Sequence, residues 1–185
     1  MSIPATISHA VQQTQEWLKA LCDSGGYAGE TEALAVLRAV LHQLRDRLTP
    51  LEAVDLGAQL PLIVRGMYYE GWRPSKTPEK LRSQDEFLEG VSAKLAPHPI
   101  GAEAATRDVF SLLAQAIDSG EICDVINQLP AGIKELWPKG MRTWAESAAR
   151  RRSRTATVSV ASSVDEESGW RNSSCRSRRS RSCPT

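Results

Sequence analysis

The stretch Arg65-Gly66-Met67-Tyr68-Tyr69-Glu70-Gly71-Trp72-Arg73-Pro74 holds the side chains of this chain best suited to recognising another molecule. Three of the ten aromatic rings fall within five residues, flanked by two arginines. Tyr, Trp and Arg concentrate at binding hot spots, because each carries a large contact area with a polar or charged end. Such rings also serve structure, closing a seam between packed helices while their polar tips reach the surface. The structural use is the expectation: Arg65, Tyr68, Tyr69, Trp72 and Arg73 form a strap over the junction of two helical units. The functional use makes the same five residues the candidate interaction patch, for a protein or for a small molecule lodged at that seam.

Catalytic groups are few. Of the three histidines, His42 sits one residue after an apolar helical position, where it borders solvent, and no Ser or Cys nucleophile pairs with it by spacing. His98 lies between two prolines, and His9 has no partner pattern. The motifs HExxH, GxSxG, GxxxxGK[ST] and GxGxxG do not occur, so neither a metal nor a cofactor is expected, and the chain does not read as an enzyme. Cys22 and Cys123 fall on apolar helical faces, where a thiol is a small hydrophobe. Cys175 and Cys183 lack a metal or redox spacing, which fits a reducing compartment. Most carboxylates stand at helix starts, where they satisfy amides and the helix dipole.

The elements that would position the patch come from a duplication. Laying residue n beside residue n+69, without a gap, puts Gln59-Leu60-Pro61 on Gln128-Leu129-Pro130, Glu52 on Glu121, Asp55 on Asp124 and Arg38 on Arg107. Ala33, Val36, Leu37, Val40, Leu41, Leu44 and Leu48 recur at three- and four-residue steps, one face of a helix. Their counterparts Ala102, Ala105, Thr106, Val109, Phe110, Leu113 and Ile117 keep that stripe, weakened only at Thr106. Thr49-Pro50-Leu51-Glu52 and Asp118-Ser119-Gly120-Glu121 read as capping boxes that start the next helix in each copy, and Ser83-Gln84-Asp85-Glu86 reads as a third. Each Gln-Leu-Pro step ends one helix and suits the first turn of another. Tyr68 falls on Trp137, so one ring of the strap belongs to the packing of the repeat itself.

The first helix of each copy carries Ile7, Val11, Trp17, Leu18 and Leu21, and Phe87, Leu88, Val91 and Leu95. Eight helices follow, near 6–22, 30–48, 50–60, 61–70, 83–95, 101–117, 119–129 and 130–137, with no strand pattern. The expected fold is all-α: two tandem four-helix units, about 6–73 and 76–140, forming one two-lobed bundle within residues 1–142.

Charge divides the chain at the same place. Residues 1–140 carry 13 Lys/Arg against 18 Asp/Glu, and residues 141–185 carry 10 against 4. Past about residue 143 the composition becomes Arg- and Ser-rich, with too little apolar surface to offset ordering entropy, so a disordered basic tail is expected. Its Arg150, Arg151, Arg152 and Arg154 could meet a phosphate backbone through counterion release, whereas the acidic body could not. No run of about 18 apolar residues is present, so no membrane helix is expected. The beginning lacks the pattern of a secretory signal, and a cytoplasmic protein of bacterial type is the expectation.

The runs LRAVLHQLRDRLTPLEAVDLGAQLPLIVRGMYYEGWRPSKTPEKLRSQDEFLEGVS and EAATRDVFSLLAQAIDSGEICDVINQLPAGIKELWP resemble the bacterial domain of unknown function 2267 family over roughly residues 7–138. The two Gln-Leu-Pro steps, MYYEGWRP and Leu136-Trp137-Pro138 are the most specific pieces. The resemblance implies an all-α fold; it carries over no activity and no functional residue. The expected role is therefore a non-enzymatic helical module for protein interaction or self-association. Small-molecule binding at the seam and nucleic-acid contact through the tail are the alternatives.

Overall fold

The computed structural model describes residues 4–78, 83–96 and 100–164, with side chains through Arg151. His98, Cys175 and Cys183 lie outside the described residues. The described elements are α1 (Ala5–Gly25), α2 (Glu30–Arg45), α3 (Pro50–Gln59), α4 (Leu62–Tyr69), a 3-10 turn (Pro74–Lys76), α5 (Gln84–Leu95), α6 (Ala102–Ala116), α7 (Ser119–Gln128), α8 (Ala131–Lys134) and α9 (Lys139–Val164). No strand occurs among the described residues, and the fold is all-α.

Local chemistry explains most boundaries. Gly26 adopts φ 66° and returns its amide to the Cys22 carbonyl, a left-handed stop that an L side chain resists. Ser83 and Glu86 form a complete capping box on α5. The other two boxes are half-made. Thr49 accepts from the Glu52 amide, but its own amide is taken by Gln128 Oε1 at 3.2 Å. Gln128 Nε2 in turn donates to Glu52 at 2.6 Å, so α7 completes the cap of α3. Asp118 caps the Gly120 amide rather than that of Glu121. The helix expected at 130–137 is a single α turn, continued by tight turns in which Leu136 bonds to Ile133 and Trp137 to Lys134.

The α2 stripe is buried throughout, with Ala33, Val36, Leu37, Val40, Leu41 and Leu44 all at 0% exposure. Burying each leucine favours the fold by about 2 kcal/mol over leaving it in water. Thr106 sits in the α6 stripe without penalty because its hydroxyl donates to Ala102 O at 2.7 Å. These stripes are too broad for one neighbour each. Helix α2 packs on α1, α4, α5 and α6, while α1 packs on α6 and α3 on α7. Helices from both halves of the sequence therefore surround one core, and the expected pair of lobes is not found.

Two further expectations change. Ile7 and Val11 are 52% and 41% exposed, because the buried face of α1 runs through Ala10, Thr14, Leu18 and Leu21, which turns Val11 outward and leaves Ile7 beyond its end. Helix α9 crosses the boundary set at residue 142, and the compact unit reaches Ala149. Met141, Ala145 and Ala148 recur at helical spacing and pack on the core, with Ala145 fully buried. That short stripe of small residues holds the beginning of the expected tail as helix.

Candidate functional site

Helix α4 carries the strap, and α2 and α3 position it. Tyr68 is fully buried; its hydroxyl donates to Ala53 O at 3.0 Å, and burial pushes its phenol pKa up. Tyr69 lies edge-on to Tyr68 with centroids 5.0 Å apart and donates to Val54 O. A Cβ on Gly57 would collide with the Tyr69 phenol, so the bare backbone of α3 is what lets that ring settle. Trp72 continues the stack 5.5 Å from Tyr69. The Tyr68 and Tyr69 hydroxyls thus both donate to α3 of the same copy. The strap closes the first unit on itself rather than the seam between units.

The two arginines separate. Arg65 donates to Ala58 O at 2.7 Å and Leu60 O at 3.1 Å, capping the end of α3. Its counterpart Lys134 reaches the equivalent carbonyl, Asn127 O, at 3.4 Å. This duty is inherited from the repeat. Arg73 is exposed and borders a recess of about 120 Å³ with Arg45, Asp46 and Lys76, while Arg65 borders a larger one of about 370 Å³. None of the three strap rings lines either recess.

The residue that anchors the strap is Arg45, which the sequence does not single out. It is 4% exposed, donates to the Tyr68 and Glu70 carbonyls, pairs with Asp46 at 2.8 Å and lies 5.9 Å over the Tyr68 ring. A cation there satisfies the carbonyls at the end of α4 and complements its dipole. The signal was positional, since Arg45 follows Leu41 by four residues on the buried face.

The same helix pair presents apolar groups outward. Leu51 and Val54 on α3 are 74% and 47% exposed, and Leu62 and Ile63 on α4 are 56% and 43%. At the 69-residue offset stand Gly120, Cys123, Ala131 and Gly132. Cys123 is 2% exposed, so the position that Val54 leaves open is buried in the second half.

A third concavity, of about 320 Å³, lies between α2 and α5 and is lined by Ala35, Arg38, Ala39, His42 and Lys94. His42 is half-buried rather than bordering free solvent, and its Nε2 bonds to the Met67 carbonyl at 2.7 Å. Burial lowers its pKa below the ordinary 6.5, with Arg45, Lys94 and Arg38 adding to the shift and the Met67 bond opposing it. Among the described residues, no group of three or more His, Cys, Asp or Glu is placed to hold a metal ion. Of the tail arginines, Arg150 and Arg151 are exposed on α9, and the side chains of Arg152 and Arg154 lie outside the described residues.

Fold and sites together define an all-helical protein with one shared core. The chain belongs to the family described as "Uncharacterized conserved protein (DUF2267)", which matches residues 14–136. No curated protein matches the chain. Among the described residues, no helix is long and apolar enough to cross a membrane.

Proposed function

We propose that this chain is a non-enzymatic helical module that self-associates through the outer face of α3 and α4. The observation carrying this reading is the exposure of Leu51, Val54, Leu62 and Ile63 where the second copy has Gly120, Cys123, Ala131 and Gly132. Exposed apolar groups clustered on one element mark contact surfaces. A second copy of the chain is the occupant favoured by charge. Asp55 and Arg65 both act on Tyr69 beside this face, so the rim carries both signs, as a twofold contact between identical surfaces needs.

Light scattering on the full chain across a concentration series tests the reading. A mass that rises towards twice the chain mass, and stays at one chain in Leu62→Asp, is the expected result. A wild-type chain that remains monomeric throughout removes it. The small-molecule alternative loses its original place, because the strap rings pack on one another. A cytoplasmic setting and nucleic-acid contact through the tail remain proposals.

A further inference from the structure

The 69-residue offset pairs the α2–α5 groove with the groove between α6 and α1. Ala35, Arg38, Ala39, His42 and Lys94 correspond to Ala104, Arg107, Asp108, Ser111 and Gly25. The second groove is closed. Tyr27, from the loop behind α1, lies in it and donates to Asp108 Oδ2 at 2.8 Å. A Cβ on Gly25 would collide with the Tyr27 ring and stand 2.6 Å from Asp108 Oδ2, so the glycine is what admits the phenol.

In the first groove each of these closing elements is missing. Ala96 stands where the offset places Tyr27, and Ala39 where it places Asp108. Lys94 replaces Gly25, and His42 replaces Ser111. The space that a phenol and its carboxylate acceptor occupy on one side is, on the other, a cavity of about 320 Å³ with an alanine floor and basic walls. Arg38 meets Glu70 at 2.5 Å, but both side chains are about half exposed, and an exposed pair of this kind is worth little and yields to a better partner.

We infer that the α2–α5 groove is a binding site for a small aromatic carboxylate, its ring over Ala35 and Ala39 and its anion among Arg38, His42 and Lys94. The ring takes the volume that Tyr27 takes in the closed groove. The carboxylate supplies the negative charge that Asp108 supplies there. Lys94 and Arg38 attract it from opposite helices, and the planar Arg38 guanidinium can receive it on two N–H groups.

Proton uptake couples to this binding. The charged and polar groups facing His42 are Arg38 and Arg45 on α2, Lys94 on α5 and the Met67 carbonyl on α4. Burial first, and then these three cations, lower the imidazole pKa against the opposing Met67 hydrogen bond. An anion among them reverses the local field, so it raises the His42 pKa and binds more tightly as pH falls.

Benzoate is the probe, titrated into the full chain while the His42 ring resonances are followed by NMR. A ligand of this size is expected to bind with Kd on the order of 1 mM. Binding should tighten several-fold from about pH 7.5 to about pH 5.5. It should weaken about tenfold in Lys94→Gln, an exposed site with no packing duty, and vanish in Ala39→Asp, with unchanged melting temperature of Lys94→Gln as the control for folding. A His42 ring indifferent to benzoate up to about 50 mM overturns the inference. So does an equal response in wild type and Lys94→Gln, or inorganic phosphate binding as tightly as benzoate, since the alanine floor would then do nothing.

Discussion

Tyr27 donates a 2.8 Å hydrogen bond to Asp108, closing the groove between α1 and α6 with a residue that the other copy replaces by alanine. The bond is part-buried and its acceptor is a carboxylate, which makes it stronger than a neutral pair. Tyr27→Phe should therefore lower unfolding free energy by about 1–2 kcal/mol in urea titration. Tyr27→Ala should cost more, since it also empties the groove. A Tyr27→Phe protein as stable as wild type would show that the ring alone closes the site.

Arg45 and Arg65 make opposite predictions. Arg45→Met leaves the Tyr68 and Glu70 carbonyls without their donor and Asp46 without its cation, a change expected to cost about 3 kcal/mol. Arg65→Lys should change stability by less than about 0.5 kcal/mol, because Lys134 already performs the same carbonyl capping in the second copy. Chemical denaturation of the two variants side by side reads the contrast.

Gly57→Ala should push the Tyr69 phenol off α3 and break its bond to Val54 O. Such overpacking is expected to cost about 1–3 kcal/mol. Increased solvent access of a tyrosine, read by ultraviolet difference absorbance, should accompany the loss. A Gly57→Ala protein with wild-type absorbance would place Tyr69 elsewhere.

Acidity acts on two sites with opposite signs. The folded-state pKa of His42 is lowered, so the unfolded chain binds the proton more readily; the stability this neutral His42 gives is present above pH 6.5 and is lost as pH falls below it. Glu121 is raised above its ordinary 4.5, first by burial and then by Asp55, Asp124 and Asp118, so the folded state holds its proton more tightly. Its contribution is present below pH 4.5 and is lost as pH rises through the folded pKa. Glu121→Gln should accordingly raise the melting temperature at neutral pH and leave it unchanged in acid. His42→Gln should flatten the loss of stability between about pH 7 and about pH 5.

The parts of the fold legible from sequence are those written in periodicity and caps. The α2 stripe, the two Gln-Leu-Pro breaks, the Ser83 box and the burial of Tyr68 and Trp137 all follow from spacing that repeats. Contacts between copies left no such trace. The cap that Gln128 of α7 lends to α3 is invisible without knowing that those helices meet. For the same reason the spacing points the strap to a seam it does not cover, and suggests two lobes where one core forms. Helix α9 leaves little trace in the sequence because Met141, Ala145 and Ala148 form a stripe of mostly small groups, which signals little by hydrophobicity. The candidate site shows the same limit. Its five residues lie close together in sequence, but Arg45 of α2 and the Ala53 and Val54 carbonyls of α3 are brought to them by packing. The α2–α5 groove shows in the sequence only as replacements at the offset, Ala96 for Tyr27, Ala39 for Asp108, Lys94 for Gly25 and His42 for Ser111, which are differences between copies rather than a motif.

Ala58 lies on the exposed side of α3 with Leu51 and Val54, and its counterpart in the other copy is Asn127, also exposed. A photo-crosslinking amino acid placed at each position in turn compares the two copies directly. Self-association through α3 and α4 predicts covalent dimers from position 58, lost on adding Leu62→Asp, and none from position 127. Equal crosslinking from both positions, or from neither, would contradict it.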